Sequence, residues 1–499
     1  MPSDRNIEIV FGGPGTGKTT DLVRIVREAL KAGLEPDKFA YMAFSRKAAN
    51  EALTRILDDE YVKELNYTRE DFTWVRTIHS TCYKLMGISK KEIMDKKDYV
   101  KFSEQTGHIL KGNYSADTER CPIDIHTLGD RSYVVYARAK AMCKSLDDVW
   151  HHLNYQDLPF EYVTKFSEEL DEYKRKVGKI DFTDLLDICD KTLKIKMAII
   201  DEAQDLTKQQ WRRTSKITSN ASRVVIAGDD DQAIYTWSGA TARPLLHMKA
   251  DIRRVLPISH RLTKNVKSLA DSIIHRISER EPKNFSSRPE MGGIHWLSEP
   301  NHVDLSSGKW FLIARNRHML NELEQIARDQ NVVYKHNGRW SNESDSVQAV
   351  LDYTRLRRGD LLSQTEARRV AEYSGGIITY HAPKQQWDDF KFPFKSDSNS
   401  RPDWMAALLI EDREREYIRG LLRRGESLLK EGRVRIDTVH GSKGGEEDNV
   451  LLMTDVSRKI YNAMMTAPDD ENRCLYVAIT RTIKNLYLVK PQSFTYWNV

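Results

Sequence analysis

Ile7-Glu8-Ile9-Val10-Phe11-Gly12-Gly13-Pro14-Gly15-Thr16-Gly17-Lys18-Thr19 is the stretch on which the reading of this chain turns. An apolar, strand-like run enters G-x-x-x-x-G-K-T, and the helical pattern Leu22-Val23-Ile25-Val26 leaves it. That order of strand, loop and helix is the setting a phosphate-binding loop requires. Glycines let such a loop turn its amides inward through backbone angles closed to residues with a Cβ, and the helix N-terminus behind it adds partial positive charge. Lys18 is expected to meet the β- and γ-phosphates of a nucleoside triphosphate and Thr19 the accompanying Mg²⁺, with Gly12, Gly13, Pro14, Gly15, Thr16, Gly17 and Thr20 lining the nucleotide. A second apolar run, much later, ends in Ile199-Ile200-Asp201-Glu202. In phosphoryl transfer such a pair divides the work: Asp201 would hold Mg²⁺ through its water shell, and Glu202 would orient and deprotonate the attacking water. The two stretches together specify a nucleoside triphosphatase.

Working outward, strand-like runs at Ile7 to Phe11, Phe39 to Ala43, Met197 to Ile200 and Arg223 to Ala227 alternate with helical text, as in a parallel α/β sheet. Each run ends in a motif, and ligands of open parallel sheets bind at the carboxyl ends of the strands. Between Thr81 and Gly178 the text turns polar, aromatic and helical, which predicts a helical insertion. A second alternating region begins near Val255, with strands expected at Trp310 to Ala314, Val450 to Thr454 and Leu486 to Lys490. Charge-rich helical text from Ser341 to Leu429 interrupts it, and Tyr380 to Pro402 reads as an irregular linker.

At 499 residues the chain exceeds what one core supports, so two to four domains are expected. The net charge of +5 permits a nucleic-acid partner without requiring one. Cys82, Cys121, Cys143, Cys189 and Cys474 are odd in number and far apart, which argues against a disulfide framework or zinc cluster and for a reducing compartment. The longest apolar runs are strand-sized and the start, Met-Pro-Ser-Asp-Arg-Asn, lacks the order of a signal peptide. A cytoplasmic protein without a membrane partner is expected, in a bacterial or phage-infected cell.

After the strand at Arg223, Gly228-Asp229-Asp230-Asp231-Gln232-Ala233-Ile234-Tyr235-Thr236-Trp237-Ser238-Gly239-Ala240 puts the Gln232 amide where it could sense a γ-phosphate, with two aromatics just beyond. With these residues the chain resembles the UvrD/Rep family of superfamily 1 helicases, whose third motif has this form. The resemblance runs in family order along nearly the whole chain. Ala43-Phe44-Ser45-Arg46-Lys47-Ala48-Ala49 resembles motif Ia and Thr77-Ile78-His79-Ser80 motif Ib. Ser259-His260-Arg261-Leu262 resembles motif IV, Ile436 to Glu446 motif V, and Leu475-Tyr476-Val477-Ala478-Ile479-Thr480-Arg481 motif VI.

The fold this resemblance implies is α/β: two RecA-like parallel-sheet P-loop NTPase domains, each with a largely helical insertion. Residues 1–80 and 179–250 would form the first domain and 81–178 its insertion. Residues 251–340 and 430–499 would form the second, and 341–429 a reduced insertion. Arg261 and Arg481 would reach the γ-phosphate from the second domain as fixed cationic forks. Glu446 would touch the nucleotide sugar, although its neighbours Gly445 and Glu447 depart from the family's usual Leu and Phe. Phe44, Tyr235 and Trp237 would stack on bases without reading them, and Thr77, His79, Thr438 and His440 would donate to DNA phosphates.

Three departures stand out. Eleven residues precede the loop, so the family's upstream glutamine motif is expected to be absent. His260 takes the position of the tyrosine that packs on adenine and offers less stacking area. The second interruption is shorter than in larger relatives. Compact length suits a phage-encoded protein. The implied function is an ATP- and Mg²⁺-dependent DNA helicase or translocase. It would move 3′-to-5′ on single-stranded DNA and act at single-strand/duplex junctions in replication, recombination or repair, beside replication or recombination proteins. Two alternatives stay open: a translocase that strips proteins from DNA, and an ATP-switched DNA-binding or loading factor with little unwinding of its own.

Overall fold

The computed structural model describes residues 5–112, 127–153, 155, 157–379, 383–393 and 401–499. It divides into two compact units: residues 1–262 with 274–288, and residues 263–273 with 289–499. Cys121 and parts of the expected 380–402 linker lie outside the described residues.

The first unit is built on six strands: β1 (Asn6–Phe11), β2 (Phe39–Ala43), β3 (Val75–Thr77), β4 (Met197–Ile200), β5 (Arg223–Gly228) and β6 (Ile252–Val255). They lie in the order β3-β2-β4-β5-β1-β6, and every pairing is parallel. Ile9, Val10 and Phe11 of β1 and Ala198 and Ile199 of β4 are fully buried, as expected of central strands covered on both faces. The helix Lys18–Lys31 buries Leu22, Ile25, Val26 and Leu30, one apolar stripe at helical spacing, and turns its polar residues outward. Among the described residues no strand joins either sheet between β3 and β4. Instead helices Lys96–Thr106, Leu128–Met142, Leu146–Leu153 and Phe160–Val177 fill this stretch. Met94, Tyr99, Phe102, Tyr136, Phe166, Leu170 and Tyr173 make its small core, and Gly178, at φ 66°, ends the last of these helices in the left-handed region.

The second unit carries a seven-stranded sheet. Its strands are β7 (Gly293–Leu297), β8 (Trp310–Ala314), β9 (Tyr334–His336), β10 (Arg339–Trp340), β15 (Val434–Thr438), β16 (Glu447–Met453) and β17 (Thr482–Val489), in the order β10-β9-β15-β8-β16-β17-β7. Only β10 runs antiparallel to its neighbour. Four two-residue strands, β11 (Leu362–Ser363), β12 (Ile377–Ile378), β13 (Lys384–Gln385) and β14 (Phe390–Lys391), pair as β11 with β13 and β12 with β14. Part of the stretch expected to be irregular is therefore strand. The interruption is not a separate body, since its Val347, Tyr353, Trp387, Phe390 and Tyr417 share one hydrophobic core with Leu312, Ile326 and Val434 of the sheet layer. No helix among the described residues is long and apolar enough to cross a membrane.

Two stretches expected in the second half fall in the first unit, residues 251–262 and 274–288. Residues 251–262 belong to the first unit because β6 adds to β1 from Glu8↔Ile252 to Phe11↔Val255. The strand Ile252-Arg253-Arg254-Val255 escapes pattern reading because it is a half-exposed edge, whose outer residues need not be apolar. Its arginines instead bind side chains of the first unit, Arg254 meeting both Glu8 and Asp21.

Candidate active site

β4, β5 and β1 are neighbours, so the turns leaving their carboxyl ends meet at one edge of the sheet. The loop after β1 has Gly15 at φ 70° and Gly17 at φ 79°, the latter acting as N-cap of helix Lys18–Lys31. A Cβ on Gly12 would stand 2.5 Å from Thr16 Oγ1 and 2.6 Å from Lys18 Cγ, and one on Gly15 would stand 2.3 Å from Arg261 Cβ. Side-chain atoms this close to the loop leave no room for a Cβ unless they shift, and positive φ at Gly15 and Gly17 favours glycine independently. Thr16 Oγ1 donates to the Gly13 carbonyl at 2.9 Å, and Lys18 Nζ to the Gly12 carbonyl at 2.8 Å. The lysine is thereby folded back over the cradle where phosphate oxygens would replace the carbonyl.

Asp201 directly follows β4 and is 4% exposed. Tyr41 OH donates to its Oδ2 at 2.6 Å and the Glu202 amide to its Oδ1 at 2.9 Å. Burial, reinforced by the Glu202 carboxylate, pushes the Asp201 carboxyl up to about 6 against the opposing pull of Tyr41 and Lys18. Glu202 is a non-glycine residue in the left-handed region, at φ 52°, which turns its side chain off the strand axis. Gln204 holds it there by donating Nε2 to Glu202 Oε2, while Gln204 Oε1 accepts the Asp229 amide at 3.0 Å. Gln204 therefore ties the end of β4 to the end of β5, a bridge to which the sequence analysis assigned no residue.

Gln232, 7% exposed, donates Nε2 to Asp229 Oδ2 at 2.6 Å. The three preceding aspartates are fully buried around Lys283, with Arg280 on Asp231. Neither cation was singled out in the sequence, because both lie in the unpatterned text Glu279-Arg280-Glu281-Pro282-Lys283.

Motif IV also sits on the phosphate loop. Ser259 Oγ donates to the Pro14 carbonyl at 2.7 Å, and the His260 amide to the Gly15 carbonyl at 2.8 Å. His260 is exposed and Arg261 half-buried. The expectation that both come from the second domain is therefore corrected: they belong to the first unit, carried there by the strand pairing of β6.

Beyond Gln232, Phe44 stacks on Tyr235 with centroids 5.5 Å apart and planes at 22°, and Tyr235 meets Trp237 edge-on at 6.2 Å. Tyr235 is 7% exposed, whereas Phe44 and Trp237 are half-buried. The column thus has a packed centre and accessible ends. Thr77 closes β3 and N-caps the next helix, accepting from the Ser80 amide at 3.2 Å. His79, two residues on, has its imidazole pushed down to about 4 by burial and the nearby Arg46.

The second unit repeats this device. Thr438 closes β15 and N-caps Val439–Ser442, accepting from the Gly441 amide at 3.1 Å, with His440 two residues on and half-buried. Glu446 is exposed. Arg481 is 2% exposed, donating Nε to the Val477 carbonyl at 2.9 Å and Nη1 to the Gly445 carbonyl at 3.2 Å.

A glycine cradle after β1, a carboxylate pair after β4 and an amide after β5 place the first unit in the P-loop NTPase class of α/β folds. The model of the UvrD/REP helicase N-terminal domain matches residues 3–253, half of the chain, and the chain belongs to this family. Among curated proteins, it is 24% identical over 370 residues to a Mycoplasma pneumoniae protein described as "Probable DNA helicase II homolog", covering 66% of this chain and 48% of that one. It is 23% identical to the ATP-dependent DNA helicase PcrA of Staphylococcus epidermidis over 56% of this chain and 39% of that protein. With the ATP-dependent DNA helicase Rep of Buchnera aphidicola it shares 25% identity over 54% of this chain and 44% of that protein. The chain spans less than half the length of the relatives it matches.

Proposed function

We propose that this chain is a DNA-dependent ATPase that moves along single-stranded DNA, 3′-to-5′, and unwinds duplex at single-strand/duplex junctions. One observation carries the reading. Gln232, which would sense the γ-phosphate, and Tyr235, in the aromatic column with Phe44 and Trp237, lie within four residues of one another on the turn after β5. A shift of that turn with nucleotide state would move the stacking surface, which is the coupling a translocase needs. Phosphates would lie in the Gly12–Gly17 cradle with Lys18 moving from the Gly12 carbonyl onto their oxygens. Glu202, held by Gln204, would accept a proton from the attacking water, and Arg261, seated on Gly15, would counter charge developing on the γ-phosphate.

The donors present suit Mg²⁺, since the Thr19 hydroxyl and the Asp201 carboxylate are hard oxygen ligands and Asp201 is held in a buried, electron-rich corner. Bound there beside phosphates, the ion would neutralise their charge. Glu202 favours turnover over a nucleotide-switched clamp, because a clamp has no use for a base beside the γ-phosphate.

The test is ATP hydrolysis with and without single-stranded DNA, together with unwinding of duplexes bearing a 3′ or a 5′ tail. Stimulation by single strands and unwinding from the 3′ tail are expected. Hydrolysis indifferent to DNA would sink the translocase reading, and preference for the 5′ tail would reverse the polarity. Trp237→Ala should weaken single-strand binding by about 1–3 kcal/mol and blunt DNA stimulation while basal hydrolysis survives. Fluorescence anisotropy of a labelled oligonucleotide measures it. An unchanged Kd in a folded Trp237→Ala protein would make that ring packing alone.

A further inference from the structure

The segment Arg280–Ser286 returns from the second unit's helix to the first unit and fastens itself in three places. Its Lys283 Nζ lies 2.6 Å from Asp230 Oδ1, 2.9 Å from Asp231 Oδ2 and 3.3 Å from Asp229 Oδ1, with all four side chains at 0% exposure. Arg280 Nε and Nη2 grip the two oxygens of Asp231 at 2.8 and 2.7 Å, and the Glu281 amide donates to Asp230 Oδ2 at 2.9 Å. Two residues past Lys283, the Phe285 ring lies 2.5 Å from where a Gly13 Cβ would stand, so it packs flush on the phosphate loop. Finally Ser286 exchanges backbone hydrogen bonds with Pro257 and Ser259, both at 2.8 Å, next to the Ser259 hydroxyl that holds Pro14.

Three adjacent buried carboxylates repel one another and are costly to desolvate, and a buried ion cluster is a poor device for stability alone. What this cluster does achieve is orientation. The Asp229 carboxylate has Oδ1 on Lys283 and on the Asp231 amide, each at 3.3 Å, and Oδ2 on Gln232 Nε2, so the lysine is, among the described residues, the one charged group that shares in setting the direction of the Gln232 amide through Asp229. A network of this kind locks one rotamer for each member, which apolar packing around Gln232 could not do.

We propose that Lys283 is a positioning residue for ATP hydrolysis: through Asp229 it aims the Gln232 amide at the γ-phosphate, while Phe285 on the same strap keeps that aim in register with the phosphate loop. The proposal rests on the reading of Gln232 given above. It assigns Lys283 to the rate of the chemical step and not to the affinity for ATP.

The test compares Lys283→Met, Gln232→Ala and the double variant in steady-state hydrolysis of Mg-ATP at saturating single-stranded DNA, in the full chain. Lys283→Met is expected to lower kcat by about tenfold or more with KM for ATP changed less than about threefold, the signature of an interaction needed in the transition state. In the Gln232→Ala background the same substitution is expected to change kcat less than about twofold, since residues acting through one group are not additive. Losses that multiply, or a normal kcat for Lys283→Met beside an impaired Gln232→Ala, would overturn the proposal alone. Full activity of Gln232→Ala would overturn both it and the reading of Gln232. Should Lys283→Met not fold, Lys283→Met with Asp230→Asn removes one carboxylate charge along with the ammonium and keeps an acceptor for the Glu281 amide. The same kinetics are expected of it. If this variant also fails to fold, Lys283 is a folding requirement and the positioning role is refuted.

Discussion

Glu202→Gln is expected to lower ATP turnover by about 10²–10⁴-fold, the usual contribution of a positioned general base, while ATP and single-stranded DNA still bind. The reason lies in what the substitution preserves. Glutamine keeps the volume and an oxygen for Gln204 Nε2, which now meets Glu202 Oε2, and the φ of 52° belongs to the backbone and not to the carboxylate. Only the ability to take a proton from water is lost. Lys18→Ala gives the contrast, because it removes the cation that closes over the cradle and should weaken ATP binding itself. Single-turnover hydrolysis beside equilibrium binding of a labelled ATP analogue separates the two effects. Near-normal turnover by folded Glu202→Gln would remove Glu202 from the role of base.

Arg261→Ala is expected to be the next largest loss, about 10³-fold in kcat, the lower end for an arginine that stabilises phosphoryl transfer. Its backbone is fixed before any nucleotide arrives. Ser259 Oγ accepts the Arg261 and Leu262 amides at 3.3 and 3.1 Å and donates to Pro14, and the Arg261 Cβ occupies the space that only a glycine at position 15 leaves open. A guanidinium carried on so fixed a stem loses little entropy when it meets a phosphate. DNA affinity without nucleotide should be unchanged. A loss under about tenfold would exclude Arg261 from the transition state. Arg481→Ala is a less clean test, because the Arg481 guanidinium also bonds the Val477 and Gly445 carbonyls and its removal lowers the stability of the second unit.

Much of the fold was legible because its central strands are apolar runs bounded by glycine or charge. β2, β4 and β8 fall at the expected residues, and β1, β5, β16 and β17 within a few positions of them. The strands of the two large sheets that escaped, β3, β6, β7, β9, β10 and β15, are short or half-exposed, and such strands carry no continuous apolar run to read. The same physics explains the misplaced boundary. Ile252 to Val255 is polar enough to look like the start of something new, yet it is the edge of the first sheet.

What the sequence by itself determined is whatever local chemistry dictates over a few residues. The phosphate loop needs glycines where backbone angles are left-handed, the carboxylate pair must follow a buried strand, and the aromatics must follow Gln232. Only the tertiary structure decided which distant groups hold those residues in place. Tyr41 on Asp201, Gln204 between Glu202 and Asp229, Arg261 on Gly15, Phe285 on Gly13 and Lys283 among three aspartates are contacts across sequence gaps with no fixed spacing. A motif is written along the chain because its atoms act within one turn or loop. Its supports come from wherever the fold returns the chain, and the requirement that buried charges find partners leaves no periodic trace in the text.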